Sequence, residues 1–137
     1  MNASVVYQTT TGNTKKVADV IAATVGCVAQ PVASATIAGP VDMLFLGAAI
    51  HASDIDSSVK KFIEELNPSM IKEVSLFTTG FEEKALGIMR GLLEKRGIPV
   101  TDKCYACRGK FLLWNRGRPN MDDLANAQVF AKEMASK

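Results

Sequence analysis

Long apolar runs are missing from this chain of 137 residues. None reaches the ~18 residues that a membrane-spanning helix needs, so no membrane span is expected. The opening residues Met1-Asn2-Ala3-Ser4 lack a basic stretch followed by an apolar one, so no secretory signal is expected either. Cysteine is scarce, with Cys27, Cys104 and Cys107 the only three, and His51 is the single histidine. An odd cysteine count without a signal reads as reduced thiols in a cytoplasmic protein, not as a disulfide framework. The sequon Asn2-Ala3-Ser4 is then incidental. A strong charge of one sign is lacking too. Sixteen basic side chains against 14 acidic ones leave +2, too balanced to argue for nucleic acid as a partner. Neither Gly-x4-Gly-Lys-Ser/Thr nor Gly-x-Gly-x-x-Gly occurs, which takes weight from ATP, GTP and the usual dinucleotides.

With 47% hydrophobic and 22% charged residues, the composition is that of a globular domain, and the length fits a single one over residues 1–137. Ser4-Val5-Val6-Tyr7, Met43-Leu44-Phe45-Leu46 and Val74-Ser75-Leu76-Phe77 are short runs, apolar throughout and not alternating. Strands of a parallel sheet, buried on both faces, read this way. A weaker strand is expected from Val100 to about Cys107, and an edge strand from Cys27 to Val32, where Pro31 is tolerated. Helical spacing separates the strands. Val17, Val20, Ile21 and Val25 precede a stop at Gly26. Val59, Phe62, Ile63 and Leu66 follow a cap expected at Ser57 or Ser58. Leu86, Met89, Leu92 and Leu93 end before Gly97, and Asn120 caps a last helix with Asp122 and Asp123 in its first turn. Repeated βα units predict an α/β fold with a parallel sheet covered on both faces.

The most informative segment is Thr9-Thr10-Thr11-Gly12-Asn13-Thr14, between the first strand and the first helix. Such a junction offers free backbone N–H groups and the positive end of a helix dipole, and both suit a phosphate. Gly12 permits close backbone approach, and several hydroxyls can donate. A set of hydroxyls and amides with no lysine suits a terminal monoester. The same string also reads as a polar turn in which a threonine caps the helix.

This segment closely resembles the FMN phosphate loop of flavodoxins, Ser/Thr-x-Thr-Gly-x-Thr after the first strand, and the βα order and length resemble the whole flavodoxin domain. The resemblance implies a flavodoxin-like three-layer sandwich whose five-stranded parallel sheet has the order 2-1-3-4-5, with FMN at the switch point between strands 1 and 3. It implies phosphate contacts from Thr9, Thr10, Thr11, Gly12, Asn13 and Thr14. It also implies two loops beside the flavin ring. The first, after strand 3, contains Ala48, Ala49, Ile50 and His51, with Ile50 where the family often has a tryptophan. The second, after strand 4, contains Thr78, Thr79, Gly80 and Phe81. His51 reads either as a surface histidine or as a group that delivers a proton beside the flavin.

Cys104-Tyr105-Ala106-Cys107 has no second cysteine pair and no nearby histidine, so no metal site is expected. On an extended strand the two thiols point to opposite faces about 10 Å apart, beyond disulfide reach. They read as structural thiols, or as a thiol beside the flavin where Cys107-Arg108-Gly109-Lys110 leaves the sheet. That string resembles a subgroup of short flavodoxin-like proteins. Arg108, Lys110, Arg116 and Arg118 are interleaved with Phe111 and Trp114 and with no acid. The segment reads as a solvated loop packed through Trp114, or as a docking surface for a redox partner protein or substrate carboxylates. The expected function is FMN-dependent electron transfer to a redox partner. The alternatives are a flavodoxin-fold oxidoreductase for a tetrapyrrole or quinone-like substrate, and a fold relative that has lost FMN.

Overall fold

The computed structural model describes residues 2–50, 54–80, 84–107 and 117–136. His51, Phe81, Arg108, Lys110, Phe111, Trp114 and Arg116 lie outside them. Among these residues five strands and four α-helices follow in the order β1 (Ala3–Tyr7), α1 (Asn13–Val25), β2 (Ala29–Pro31), β3 (Met43–Gly47), α2 (Ser57–Glu65), β4 (Val74–Thr79), α3 (Lys84–Lys95), β5 (Tyr105–Cys107) and α4 (Met121–Ala135). Short 3-10 turns follow β2 and α2. The sheet order is β2-β1-β3-β4-β5, and every pairing is parallel. This is the order expected from the sequence.

The strands divide their side chains between two cores. Val6, Leu44, Leu46, Val74 and Leu76 pack with Val59 and Ile63 of α2 and Met89 and Leu93 of α3. Val5, Tyr7, Phe45 and Phe77 face the other way, onto Val17 and Ile21 of α1 and Phe130 and Ala131 of α4. Strictly alternating direction in strands apolar on both faces gives the two layers of helices. In β3 all five residues are buried, and in β4 all six.

Three expectations are corrected. Asp56, not Ser57 or Ser58, caps α2: its carboxylate accepts the Ser58 N–H at 3.0 Å. The negative charge of an aspartate at a helix start adds to its capping bond. The strand expected from Val100 is confined to Tyr105–Cys107, with Val100 making only an isolated bridge to Val74. The edge strand is likewise shorter than Cys27 to Val32. Gly26 and Asn120 act as read from the sequence. Gly26 ends α1 in a left-handed conformation, and Asn120 closes a reciprocal capping box with Asp123.

Candidate functional site at the carboxyl rim of the sheet

β1 and β3 are neighbours, but the chain leaves β1 toward β2 on its other side. The connections after β1 and β3 therefore diverge to opposite faces and leave a crevice at their carboxyl ends. The ladder continues just past the strands here. The Gln8 N–H donates to Gly47 O at 2.9 Å, Ala48 N–H to Phe77 O at 3.3 Å, and Gly80 N–H to Cys107 O at 2.9 Å. Residues 8–14, 48–50, 79–80 and 107 are thereby held on one rim.

The turn after β1 brings Thr9, Thr10, Thr11 and Gly12 to the start of α1. Thr9 Oγ1 accepts the Gly12 N–H at 2.9 Å, and the Gln8 side chain donates to Thr10 Oγ1 at 3.4 Å. Thr10 and Thr11 are exposed, while Asn13 and Thr14 are buried in the first helical turn. Gly12 is the N-cap, with φ 89° and ψ −4°. This is left-handed backbone that glycine adopts without penalty. The cap carries no side-chain hydrogen bond, and the first turn holds no acid, so the alternative of a threonine cap is not what forms. The contrast with α2 and α4 is informative. α2 starts on Asp56, and α4 starts on a capping box with Asp122 and Asp123. Those helices carry their own anions, whereas α1 presents its positive end without one. Hydroxyls, backbone N–H groups and an uncapped helix start make a donor set that fits a phosphate monoester.

Across the crevice, Ala48 is buried and Ala49 and Ile50 are half-buried. Thr78 and Thr79 belong to β4 itself and not to the loop after it, because β-branched residues extend the strand. The Thr78 hydroxyl donates to Ala48 O at 2.6 Å, tying the β3 loop to β4. The Thr79 hydroxyl lies 2.8 Å from that of Thr14. Gly47 is a residue that sequence reasoning passed over. A Cβ added there would fall 2.1 Å from Cε2 of the Phe77 ring, so the last residue of β3 has no room for a side chain. The run Met43 to Leu46 followed by a glycine was the only signal available.

Beside the rim, Lys60 Nζ donates to the Asp54 carboxylate at 2.5 Å, and that hydrogen bond holds the Asp54 pKa below its ordinary value. At the β5 end, Tyr105 donates to Asp123 O, and the Arg118 guanidinium grips both oxygens of the Asp123 carboxylate. Arg118, one of the four cations expected on the solvated loop or docking surface, is paired here with Asp123. Cys107 sits among these groups, and burial, then the Asp123 charge, push its thiol up to about 11. A thiol so protonated at neutral pH is a poor nucleophile. Cys104 and Cys107 pack against opposite cores, as a strand places them, and both are free thiols. Among the described residues no group of His, Cys, Asp and Glu could hold a metal ion. None of the helices is long and apolar enough to cross a membrane, again among the described residues.

The hydrogen bond from Arg118 depresses the Asp123 pKa below 3.8. A carboxylate whose folded pKa is lowered stabilises the fold above its unfolded pKa, and that contribution disappears as pH falls through the folded value. Asp123→Asn is expected to unfold more easily at neutral pH and to lose less stability than the parent between about pH 5 and pH 2. Urea unfolding across that range checks this, and parallel curves for the two proteins would refute it.

A family profile described as the flavodoxin domain matches residues 4–110. The chain belongs to the flavodoxin-domain family. A flavodoxin from the domain Archaea superposes with a TM-score of 0.83 at 18% identity, covering 99% of this chain and 97% of the other. Oxidised flavodoxin 2 from Bacillus cereus gives 0.77 at 19% identity, covering 99% of each chain. Rubredoxin oxygen:oxidoreductase from Desulfovibrio gigas gives 0.75 at 14% identity, covering 95% of this chain but 34% of that longer one. The fold thus occurs both alone and as part of a larger enzyme. No curated protein matches the chain.

Proposed function

We propose that this flavodoxin-family chain binds FMN and carries electrons to a redox partner. The observation that carries the reading is the start of α1: a threonine-rich turn, a left-handed Gly12 and an uncapped, acid-free first helical turn, all at the β1/β3 switch point. The FMN phosphate would take Thr9, Thr10, Thr11, Gly12, Asn13 and Thr14, and the ring would lie toward Ala49, Ile50 and Gly80. Bound FMN supplies the redox chemistry. The chain supplies position and environment. Ile50 offers an aliphatic face, and the bonds of Gly47 to Gln8 and of Ala48 to β4 keep the flanking loop at a fixed height. His51 and Phe81 keep their sequence-based assignment beside the ring. The partner would approach along the rim, and Arg108, Lys110 and Arg116, which follow β5 in the chain with Trp114 among them, would attract an acidic protein surface or substrate carboxylates.

The test is titration of the flavin-free protein with FMN, followed by flavin fluorescence, for the parent and for Thr11→Ala. A hydrogen bond to a charged group contributes about 1.5–3 kcal/mol. Loss of the exposed Thr11 hydroxyl is expected to weaken FMN binding about ten- to a hundredfold. A parent that leaves FMN fluorescence unchanged at every concentration would refute the reading.

A further inference from the structure

Two buried hydroxyls meet beneath the β1–α1 turn. Thr14, in the first turn of α1, is 1% exposed, and Thr79, the last residue of β4, is 3% exposed. Their oxygens are 2.8 Å apart across 65 residues of sequence. Each hydroxyl owns one proton, and one proton suffices for the bond between them. Among the described residues the other proton has no acceptor. A buried donor left without an acceptor is costly, and such a group in a native fold calls for an explanation.

The direction of the bond decides where the spare proton sits. If Thr14 donates, the spare proton is on Thr79 in the strand. If Thr79 donates, it is on Thr14, at the positive end of α1. An anion at that helix start selects the second arrangement, because it supplies the missing acceptor and is favoured by the dipole. We propose that Thr79 is a positioning residue for the anion: it donates to Thr14 and so orients the Thr14 hydroxyl proton toward the phosphate held at Thr9–Thr14. The inference rests on the FMN reading and gives Thr79 a role on the phosphate side of the site, not against the ring. It also gives the strand after which the second loop begins a direct link to the phosphate turn.

The readout must separate the phosphate from the ring, and riboflavin, which has the ring without the phosphate, does so. Thr79→Ser keeps the hydroxyl and Thr79→Ala removes it, while both lose the same methyl group. Thr79→Ala is expected to bind FMN roughly tenfold more weakly than Thr79→Ser, with riboflavin affinity equal in the two. The 31P resonance of bound FMN is expected to match the parent in Thr79→Ser and to shift in Thr79→Ala. Thermal unfolding of both variants identifies any loss of fold, and the Ser protein serves as the folded reference. Equal FMN affinity in the Ser and Ala variants would overturn the proposal. So would a parallel loss of riboflavin and FMN binding, which would make Thr79 a ring or packing residue. A parent that binds riboflavin and FMN equally overturns the phosphate placement for Thr79 and Thr14 together. A parent that binds neither flavin overturns the FMN reading itself.

Discussion

Gly47→Ala is expected to destabilise the protein by about 1–3 kcal/mol, the usual cost of forcing a carbon atom into a filled core. The added Cβ would lie 2.1 Å from Cε2 and 2.3 Å from Cζ of Phe77. Phe77 is fully buried in the core shared with α1 and α4, so its ring cannot swing into solvent. The strain falls at the place where β3 hands the chain to the loop of Ala48, Ala49 and Ile50, whose first N–H bonds Phe77 O. Flavin affinity should therefore fall together with stability. Gly91→Ala is the matched control. It lies in α3 with nothing within 4 Å of an added Cβ, so it should leave the core untouched and stabilise slightly through helix propensity. Thermal unfolding of the two variants should show shifts of opposite sign. A midpoint unchanged by Gly47→Ala would mean that β3 and β4 separate easily.

Gly12→Val is expected to weaken FMN binding by at least the ten- to hundredfold predicted for Thr11→Ala. Here the cause is backbone conformation and not crowding. Nothing lies within 4 Å of a Cβ added at Gly12, yet its φ of 89° is one that a β-branched residue adopts only under strain. Holding such a residue there costs on the order of 1–3 kcal/mol, and the turn relieves the strain by giving up the geometry that aims its N–H groups. Asparagine tolerates left-handed backbone, so Gly12→Asn should keep most of the affinity. Titration with FMN ranks the three proteins, and equal loss from valine and asparagine would point to side-chain bulk instead.

How far the sequence foretold this depends on how local each determinant is. β1, β3 and β4 were legible because burial on both faces leaves uninterrupted apolar runs, and the turn from β1 into α1 because six consecutive residues carry it. β5 was legible only in its place and its end, not in its start near Val100, since its three residues are only half-buried and owe their extended form to pairing with Phe77, Thr78 and Thr79. The cap of α2 was ambiguous because Asp56, Ser57 and Ser58 are all good caps in a row, and only the folded geometry shows which oxygen accepts. In the candidate site, the place of Thr14 at the start of α1 was legible, but its bond to Thr79 was not, for no local pattern joins residues 65 apart. The same holds for Gly47 and Phe77, and for Arg118, whose charge read as available until Asp123 was seen to take it.

Among the described residues the sheet ends on both sides in strands of three residues, β2 and β5. One of them includes Pro31, which has no N–H to offer a neighbour. A template so short and partly blanked gives little purchase for a sixth strand from another molecule, so runaway edge-to-edge growth into fibrils is discouraged. A second protein would thereby meet the carboxyl rim or the helical flanks more readily than the backbone of the sheet, and contact there needs no remodelling of the fold.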